Sequence, residues 1–98
     1  MLIENPMSIV LNLENCQDVF EVHHLLKTVF DLPEWYGENW DALWDCLDGY
    51  FPKGSAVPVK IYGYRLLPKE LREALQPMLD IFWELSEKGR QVSAVICS

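Results

Sequence analysis

The amino-acid sequence predicts an α/β fold in which a three-stranded parallel β-sheet has helices packed against it. Two patterns carry this prediction: short apolar runs, and between them longer segments whose apolar residues recur every three or four positions. Strands that are separated by helices pair in parallel through right-handed crossovers. Because the chain has 98 residues, of which 50% are hydrophobic, we expect a single domain over residues 1–98 with a packed core.

The first strand and the first helix are predicted within residues 7–33. Met7–Leu13 contains a β-branched apolar run that is typical of a buried strand. Asp18 is expected to begin a helix, with Glu21 as its capping-box partner. The residue before a proline disfavours the α region, so the helix is expected to stop at Asp31-Leu32-Pro33. The apolar face of this helix consists of Val19, Val22, Leu25, Leu26, Val29 and Phe30.

Glycine and proline delimit the remaining elements. Gly37 is the expected flexible point before the second helix, and Gly49 is expected at the C′ position that ends it. Pro77 is expected to separate two helices, because proline is tolerated in a first turn but not in a helix interior. The predicted elements are a helix over Asn39–Leu47, a loop over Phe51–Ser55, a strand over Ala56–Tyr62, helices over Pro68–Leu75 and Pro77–Lys88, and a strand over Gln91–Cys97.

The charge balance restricts the possible partners. Eight Lys and Arg residues against fifteen Asp and Glu residues give a formal net charge of −7 and a sequence pI near 4.6. Such a surface repels phosphate groups, so we expect no direct binding to nucleic acid or to an anionic membrane. A basic protein partner is favoured instead.

The sequence contains no pattern typical of a signal peptide, a membrane span or a cysteine motif. The first ten residues lack the basic region of a signal peptide, and no run of eighteen apolar residues occurs, so a cytoplasmic protein is expected. Cys16, Cys46 and Cys97 are odd in number and widely spaced. This pattern indicates reduced, buried thiols, with no disulfide framework and no zinc site. No metal ion or cofactor is expected.

The predicted second helix has an unusual distribution of charge. Asp41, Asp45 and Asp48 follow the spacing i, i+4, i+7 and therefore share one helix face, which Glu38 extends. Like charges one turn apart destabilise a helix, and the helix dipole disfavours an anion in the last turn. No lysine or arginine lies between positions 27 and 53 to relieve this row.

Tryptophans accompany the acidic row. Trp35, Trp40 and Trp44 lie within ten residues of one another. Trp40 and Trp44 share an apolar face with Leu43 and Leu47, but one short helix does not easily bury all three indoles. Exposed tryptophan beside carboxylates is typical of a protein-binding hot spot, although a solvated acidic face is the simpler interpretation of the charge row alone.

The run from Leu32 to Tyr50, LPEWYGENWDALWDCLDGY, resembles the signature segment of the barstar family of intracellular inhibitors of barnase-type ribonucleases. The resemblance is weaker in the last helix, from Phe82 and Glu84 to Gly89, and in the apolar C-terminal strand. It implies the same sheet-and-helix fold that the apolar patterns predict. The strongest matches are Leu32-Pro33-Glu34, Tyr36-Gly37-Glu38-Asn39, Asp41-Ala42-Leu43-Trp44-Asp45-Cys46-Leu47 and Gly49.

The resemblance also implies a mechanism and its residues. The second helix and the loop before it would block the active site of a ribonuclease, with carboxylates in the place of RNA phosphates. Asp45 would enter the phosphate pocket among Arg and His side chains, and Asp41 would pair with a second basic group at the rim. The other implied contacts are Asn39, Ala42 and Gly49 as close polar and backbone contacts, Trp44 packed alongside, and Glu84 at the periphery.

Four residues depart from the family pattern on the implied binding surface. Trp35 replaces a tyrosine, Trp40 a leucine, Asp48 a threonine and Tyr50 a tryptophan. Since specificity is a difference of affinities, these changes could redirect the protein to another partner, so two candidate partners are kept. One is a barnase-type ribonuclease bound one-to-one by a monomer, and the other is a related toxin nuclease or a different basic protein.

Two other functions fit the residues less well. Asp41 and Asp45 could be paired catalytic carboxylates, and Cys46 could be a nucleophile with His23 or His24. The carboxylates, however, lie on a short exposed helix with no evident cleft, and the thiol lies in an anionic stretch that would raise its pKa. Metal binding by the acidic row matches no calcium-loop spacing. A binding protein that is not an enzyme is therefore predicted.

Overall fold

A computed structural model describes residues 9–49, 57–89 and 92–97 of the chain. It contains three strands, four α-helices and one short 3₁₀ helix over these residues. In chain order the elements are β1 (Ile9–Asn12), α1 (Val19–Val29), α2 (Trp40–Asp48), β2 (Val57–Tyr62), the 3₁₀ helix (Tyr64–Leu66), α3 (Lys69–Ala74), α4 (Gln76–Glu87) and β3 (Val92–Ile96).

The three strands form one parallel sheet in the order β1-β2-β3, which confirms the predicted fold class. Val59, at the centre of the middle strand, is in register with Ile9 on one side and Ala94 on the other. Side chains alternate between the faces of the sheet, and the face that contains Val59 and Ile61 is buried. The opposite face carries three exposed apolar side chains, Val10, Tyr62 and Val95.

The helices cover the buried face of the sheet with the apolar stripes that the sequence predicts. The most buried positions are Val22 and Leu26 in α1, Leu43 and Leu47 in α2, and Met78, Phe82 and Leu85 in α4. Phe30, just beyond α1, meets Phe82 with ring centroids 6.3 Å apart. One continuous core therefore fixes α2 against the sheet and α4.

The ends of α1 show where local sequence signals hold and where they shift. The Asp18 carboxylate accepts a hydrogen bond from the Glu21 N–H at 2.9 Å, as predicted. The Glu21 carboxylate accepts from the Gln17 N–H at 2.5 Å instead of from Asp18, so the capping box is displaced by one residue. Asp31 adopts a left-handed φ of 52°, and the Leu32 N–H donates to the Lys27 carbonyl at 2.9 Å. This Schellman-type turn ends the helix at Val29, four residues before Pro33.

The remaining boundaries agree with the predictions within two residues. A break at Leu75 separates α3 from α4, and Gly89, with φ 97°, follows the end of α4. Gly49 is the C-cap residue of α2 in a right-handed conformation, so its predicted C′ position is wrong by one residue. The 3₁₀ helix was not predicted. The loop over Phe51–Ser55 and the predicted strand positions Met7, Ser8, Ala56 and Gln91 lie outside the described residues.

Candidate protein-binding site

The start of α2 is fixed by local polar contacts. The Asn39 side chain accepts a hydrogen bond from the Ala42 N–H at 2.8 Å and so caps the helix. The Asn39 amide also donates to the Gly37 carbonyl at 3.3 Å. A Cβ on Gly37 would lie 3.2 Å from that amide, so glycine supplies space at this point. The left-handed turn falls on the next residue, Glu38, whose φ is 53°.

Burial orients the acidic face of α2 outward. Leu43 and Leu47 are fully buried, while Trp40 and Trp44 are half-buried and pack against the core. The predicted apolar stripe is therefore present, although its two tryptophans lie at the margin of the core. Because this stripe faces inward, the carboxylates on the other face of the helix point toward solvent.

A buried polar contact holds the loop before α2. His23, in α1, is only 2% exposed, and its Nδ1 lies 2.6 Å from the hydroxyl of the buried Tyr36. The His23 ring also packs against Trp40, with centroids 4.3 Å apart. Burial lowers the pKa of His23 below 6.5, an effect that Glu38 opposes and His24 reinforces. Burial likewise raises the pKa of Tyr36, so both side chains are neutral at pH 7.

Two weaker ion pairs connect the same loop to α1. His24 Nδ1 lies 3.7 Å from the Glu38 carboxylate, and Lys27 Nζ lies 3.8 Å from that of Glu34. His24 is exposed and His23 is buried, because adjacent residues of a helix point in different directions. The position of the loop therefore depends mainly on the buried contact between His23 and Tyr36.

The last turn of α2 is paired with a cation that no local sequence pattern indicated. Lys88, at the end of α4, lies 3.0 Å from Oδ1 and 3.1 Å from Oδ2 of Asp48. Its Nζ also lies 5.2 Å from the centroid of the Trp44 ring, a cation–π contact. The acidic row is thus partly neutralised at this end, because the fold brings together two residues that are 40 positions apart.

The other two aspartates of the row have no such partner. Asp41 and Asp45 are exposed, and neither forms an ion pair with another residue of the ranges 9–49, 57–89 and 92–97. Trp35, in the preceding loop, is 76% exposed. Solvent-exposed carboxylates and an exposed indole therefore lie on two adjoining segments, which is an arrangement suited to a basic protein surface.

The remaining predicted contact residues are Ala42, Gly49, Glu84 and Tyr50. Ala42 is half-buried within α2, and Gly49 is exposed at its end. Glu84 is exposed on α4 and borders a shallow cleft of about 510 Å³ that Trp44, Trp83, Glu87 and Lys88 also line. Tyr50 lies outside the described residues. The cleft was not predicted, since α4 begins 28 positions after the end of α2.

The cysteines show no sign of a reactive site. Burial, and then the neighbouring Asp45, raise the pKa of the Cys46 thiol, which disfavours the thiolate. All three cysteines are free. Cys16 and Cys46 are half-buried, but Cys97 is exposed because it lies past the last residue of β3, so the expectation of a buried thiol is wrong there.

No group of three or more His, Cys, Asp or Glu side chains among the described residues could hold a metal ion. Within the same residues, no helix is long and apolar enough to cross a membrane.

The fold and this surface define a class of small α/β protein with an exposed, acidic helix flanked by tryptophans. The Barstar (barnase inhibitor) family model matches residues 7–97, which is nearly the whole chain, and the chain belongs to this family. The resemblance drawn from the sequence is thereby confirmed. Members of the family are inhibitors and not enzymes, as the sequence predicts for this protein.

A curated relative supports the same family. Over 56 residues the chain is 40% identical to a Bacillus subtilis (strain 168) protein named "Putative ribonuclease inhibitor YrdF". The match covers 57% of this chain and 62% of the relative.

Proposed function

We propose that this protein inhibits a barnase-type ribonuclease by inserting α2 and the preceding loop into the basic active site of the enzyme. The observation that carries the proposal is the pair of exposed carboxylates, Asp41 and Asp45, which form no ion pair within the described part of the chain. They lie on a helix whose opposite face is locked into the core. Because the helix is already ordered, little conformational entropy is lost when it binds. The family and the name of the B. subtilis relative favour a ribonuclease as the target.

Each carboxylate has a distinct role in this proposal. Asp45 takes the place of an RNA phosphate among arginine and histidine side chains, and Asp41 pairs with a basic group at the rim. The wider contact surface comprises Trp35, Asn39, Trp40, Ala42, Trp44, Asp48, Gly49, Tyr50 and Glu84. Trp40, however, contacts His23 and packs against the core, so its main role is to support the helix.

Electrostatics supplies rate as well as affinity. The net charge of −7 steers the protein toward a basic cleft, and steered association reaches about 10⁸–10⁹ M⁻¹s⁻¹ at low ionic strength. The protein binds as a monomer in a one-to-one complex in the cytoplasm, where it blocks the enzyme before RNA is cleaved. Affinity and on-rate both fall as salt rises.

A second candidate function is inhibition of a related toxin nuclease or another basic protein. The observation that favours it is the exposure of Trp35, a large indole where the family pattern has a tyrosine. The indole adds apolar area and removes a hydroxyl donor at a position that faces the partner. Such a change alters which partner surfaces are complementary.

The test is titration calorimetry against a catalytically inactive barnase-type ribonuclease at moderate salt. Tight one-to-one binding is expected for the wild type, and Asp45→Ala is expected to weaken it by about a thousandfold or more. Truncation of a central hot-spot side chain lowers the binding free energy by about 4–8 kcal/mol, a range that includes the value for an aspartate of barstar. Because Asp45 is exposed, the thermal midpoint of the variant should be unchanged or higher.

Glu73→Ala is the matched control, since it removes one exposed carboxylate from α3 and causes the same change in net charge. It should lower the affinity by less than about threefold, through long-range steering alone. Equal losses from both variants would contradict the phosphate-mimic role of Asp45. Absence of binding by the folded wild-type protein would favour the second candidate function.

A further inference from the structure

The contact between Asp48 and Lys88 lies at the border of the proposed binding surface. Lys88 donates to both carboxylate oxygens of Asp48 and covers one face of Trp44. The side chain of Lys88 is 50% exposed and that of Asp48 is 30% exposed. The ammonium group is therefore held in one place and still faces solvent beside the acidic helix.

Stability gives little reason for this arrangement. An ion pair with such exposure contributes only about 0–1 kcal/mol to folding. The chain has eight cationic side chains against fifteen anionic ones, and one of the eight is fixed at the end of an acidic face that is otherwise free of cations among the described residues. The fold therefore gains little from the position of Lys88.

The pair divides the acidic face into two unlike ends. Asp41 and Asp45 present unpaired negative charge, whereas Asp48 presents a carboxylate whose two oxygens already accept hydrogen bonds from Lys88. Lys88 also lines the cleft beside Trp44 and Glu84. A partner residue that approaches this end therefore meets a fixed ammonium group.

We propose that Lys88 is a specificity-determining residue that disfavours partners with an arginine or lysine at the rim facing the end of α4. Partners with a carboxylate, amide or hydroxyl group at that point are accepted, because these groups can take a hydrogen bond from the ammonium. Like charges that are brought together at an interface are strongly unfavourable, which makes one fixed cation an effective discriminator. This inference rests on the proposed function, since it assigns a selectivity to the same surface.

The test compares Lys88→Glu with Lys69→Glu, using a catalytically inactive barnase-type ribonuclease as the probe. Both variants change the net charge by the same amount, but Lys69 lies on α3, away from the proposed surface. Lys88→Glu is expected to bind the basic probe at least about tenfold more tightly than Lys69→Glu, because it replaces a repelling cation with a carboxylate beside the acidic helix. Lys88→Met should show a smaller gain in the same direction, and it avoids placing a new carboxylate beside Asp48.

The outcomes separate this inference from the proposed function. Equal affinities of Lys88→Glu and Lys69→Glu, including no binding by either, would overturn the role of Lys88 even if Asp45→Ala abolishes wild-type binding. The two roles are read from separate comparisons: the loss caused by Asp45→Ala in the wild type tests the phosphate-mimic role, and the difference between Lys88→Glu and Lys69→Glu tests the role of Lys88. A gain in the Lys88 variants together with a large loss in Asp45→Ala supports both proposals, whereas a gain without that loss supports the role of Lys88 and contradicts the role of Asp45.

Discussion

The two ends of helix α2 are held in opposite ways. At its start, the buried His23 meets the hydroxyl of the buried Tyr36 and the ring of Trp40. At its end, the half-exposed Lys88 meets Asp48. The first contact joins neutral, buried groups, and the second joins charged groups that are partly exposed to solvent.

The two contacts differ in how much they stabilise the fold and in how they respond to salt. A buried hydrogen bond between neutral groups is insensitive to salt but costly to break, because its partner is left unsatisfied. A solvent-exposed ion pair contributes little to folding and responds to salt and to an approaching charge. The start of α2 therefore sets the geometry of the acidic helix, while the ion pair at its end contributes charge but little stability.

Removing the Tyr36 hydroxyl should have the largest effect on stability. Tyr36→Phe leaves the buried His23 ring nitrogen without its partner and is expected to lower the free energy of unfolding by about 1–3 kcal/mol in urea denaturation. Tyr64→Phe is the control, because the Tyr64 hydroxyl lies 3.5 Å from the Arg72 carbonyl, at the limit of a hydrogen bond. Equal effects of the two substitutions would show that the contact with His23 does not anchor the loop.

Acidification should have the second-largest effect, a loss of folding stability through the buried His23. The folded state lowers the pKa of His23, so the unfolded chain binds the additional proton as the pH falls below 6.5. Stability is therefore present above this pH and is lost as the pH falls, with a slope of at most about 1.4 kcal/mol per pH unit from this group. His23→Gln should flatten the dependence between pH 7 and pH 5.

His24→Gln is the control for this pH dependence, since His24 is the neighbour of His23 in sequence but is exposed to solvent. It should keep the wild-type slope in urea denaturation across the same pH range. A wild-type slope in His23→Gln would mean that other groups, mainly carboxylates, account for the acid sensitivity.

Breaking the pair at the end of α2 should have the smallest effect on folding. Lys88→Met is expected to change the free energy of unfolding by less than about 1 kcal/mol at low salt. The difference from the wild type should shrink further between 0.01 M and 1 M salt, because the Debye length falls from about 30 Å to about 3 Å. A large, salt-independent loss in urea denaturation would place Lys88 with the structural anchors instead.

Local signals account for the parts of the fold that could be predicted. The cap at Asp18, the apolar stripe of Leu43 and Leu47, and the break near Pro77 each depend on residues within one helical turn. Parallel pairing then follows from the alternation of strands and helices. The left-handed turn at Glu38 could not be located this way, because Gly37 beside it is the more permissive residue and is used for space instead.

The site was predictable where one helix defines it and unpredictable where distant elements meet. The outward-facing Asp41 and Asp45 follow from the helical period alone. The contacts of His23 with Tyr36 and of Lys88 with Asp48 depend on how α1 and α4 pack against α2, and neither histidine nor lysine carries a local signal of its partner. The contact residues themselves stay a prediction until a complex is measured.

The register of the sheet also has a consequence for the timing of folding during synthesis. Ile9 pairs with Val59, about 50 residues later, and β2 in turn pairs with β3, which begins at Val92. At a translation rate of about 5–20 residues per second, β1 waits about 2.5–10 s for its first strand partner to be synthesised. Helix α2 is made in that interval, before the sheet that supports it exists. Its acidic face therefore reaches its binding geometry only late, after most of the chain has been made.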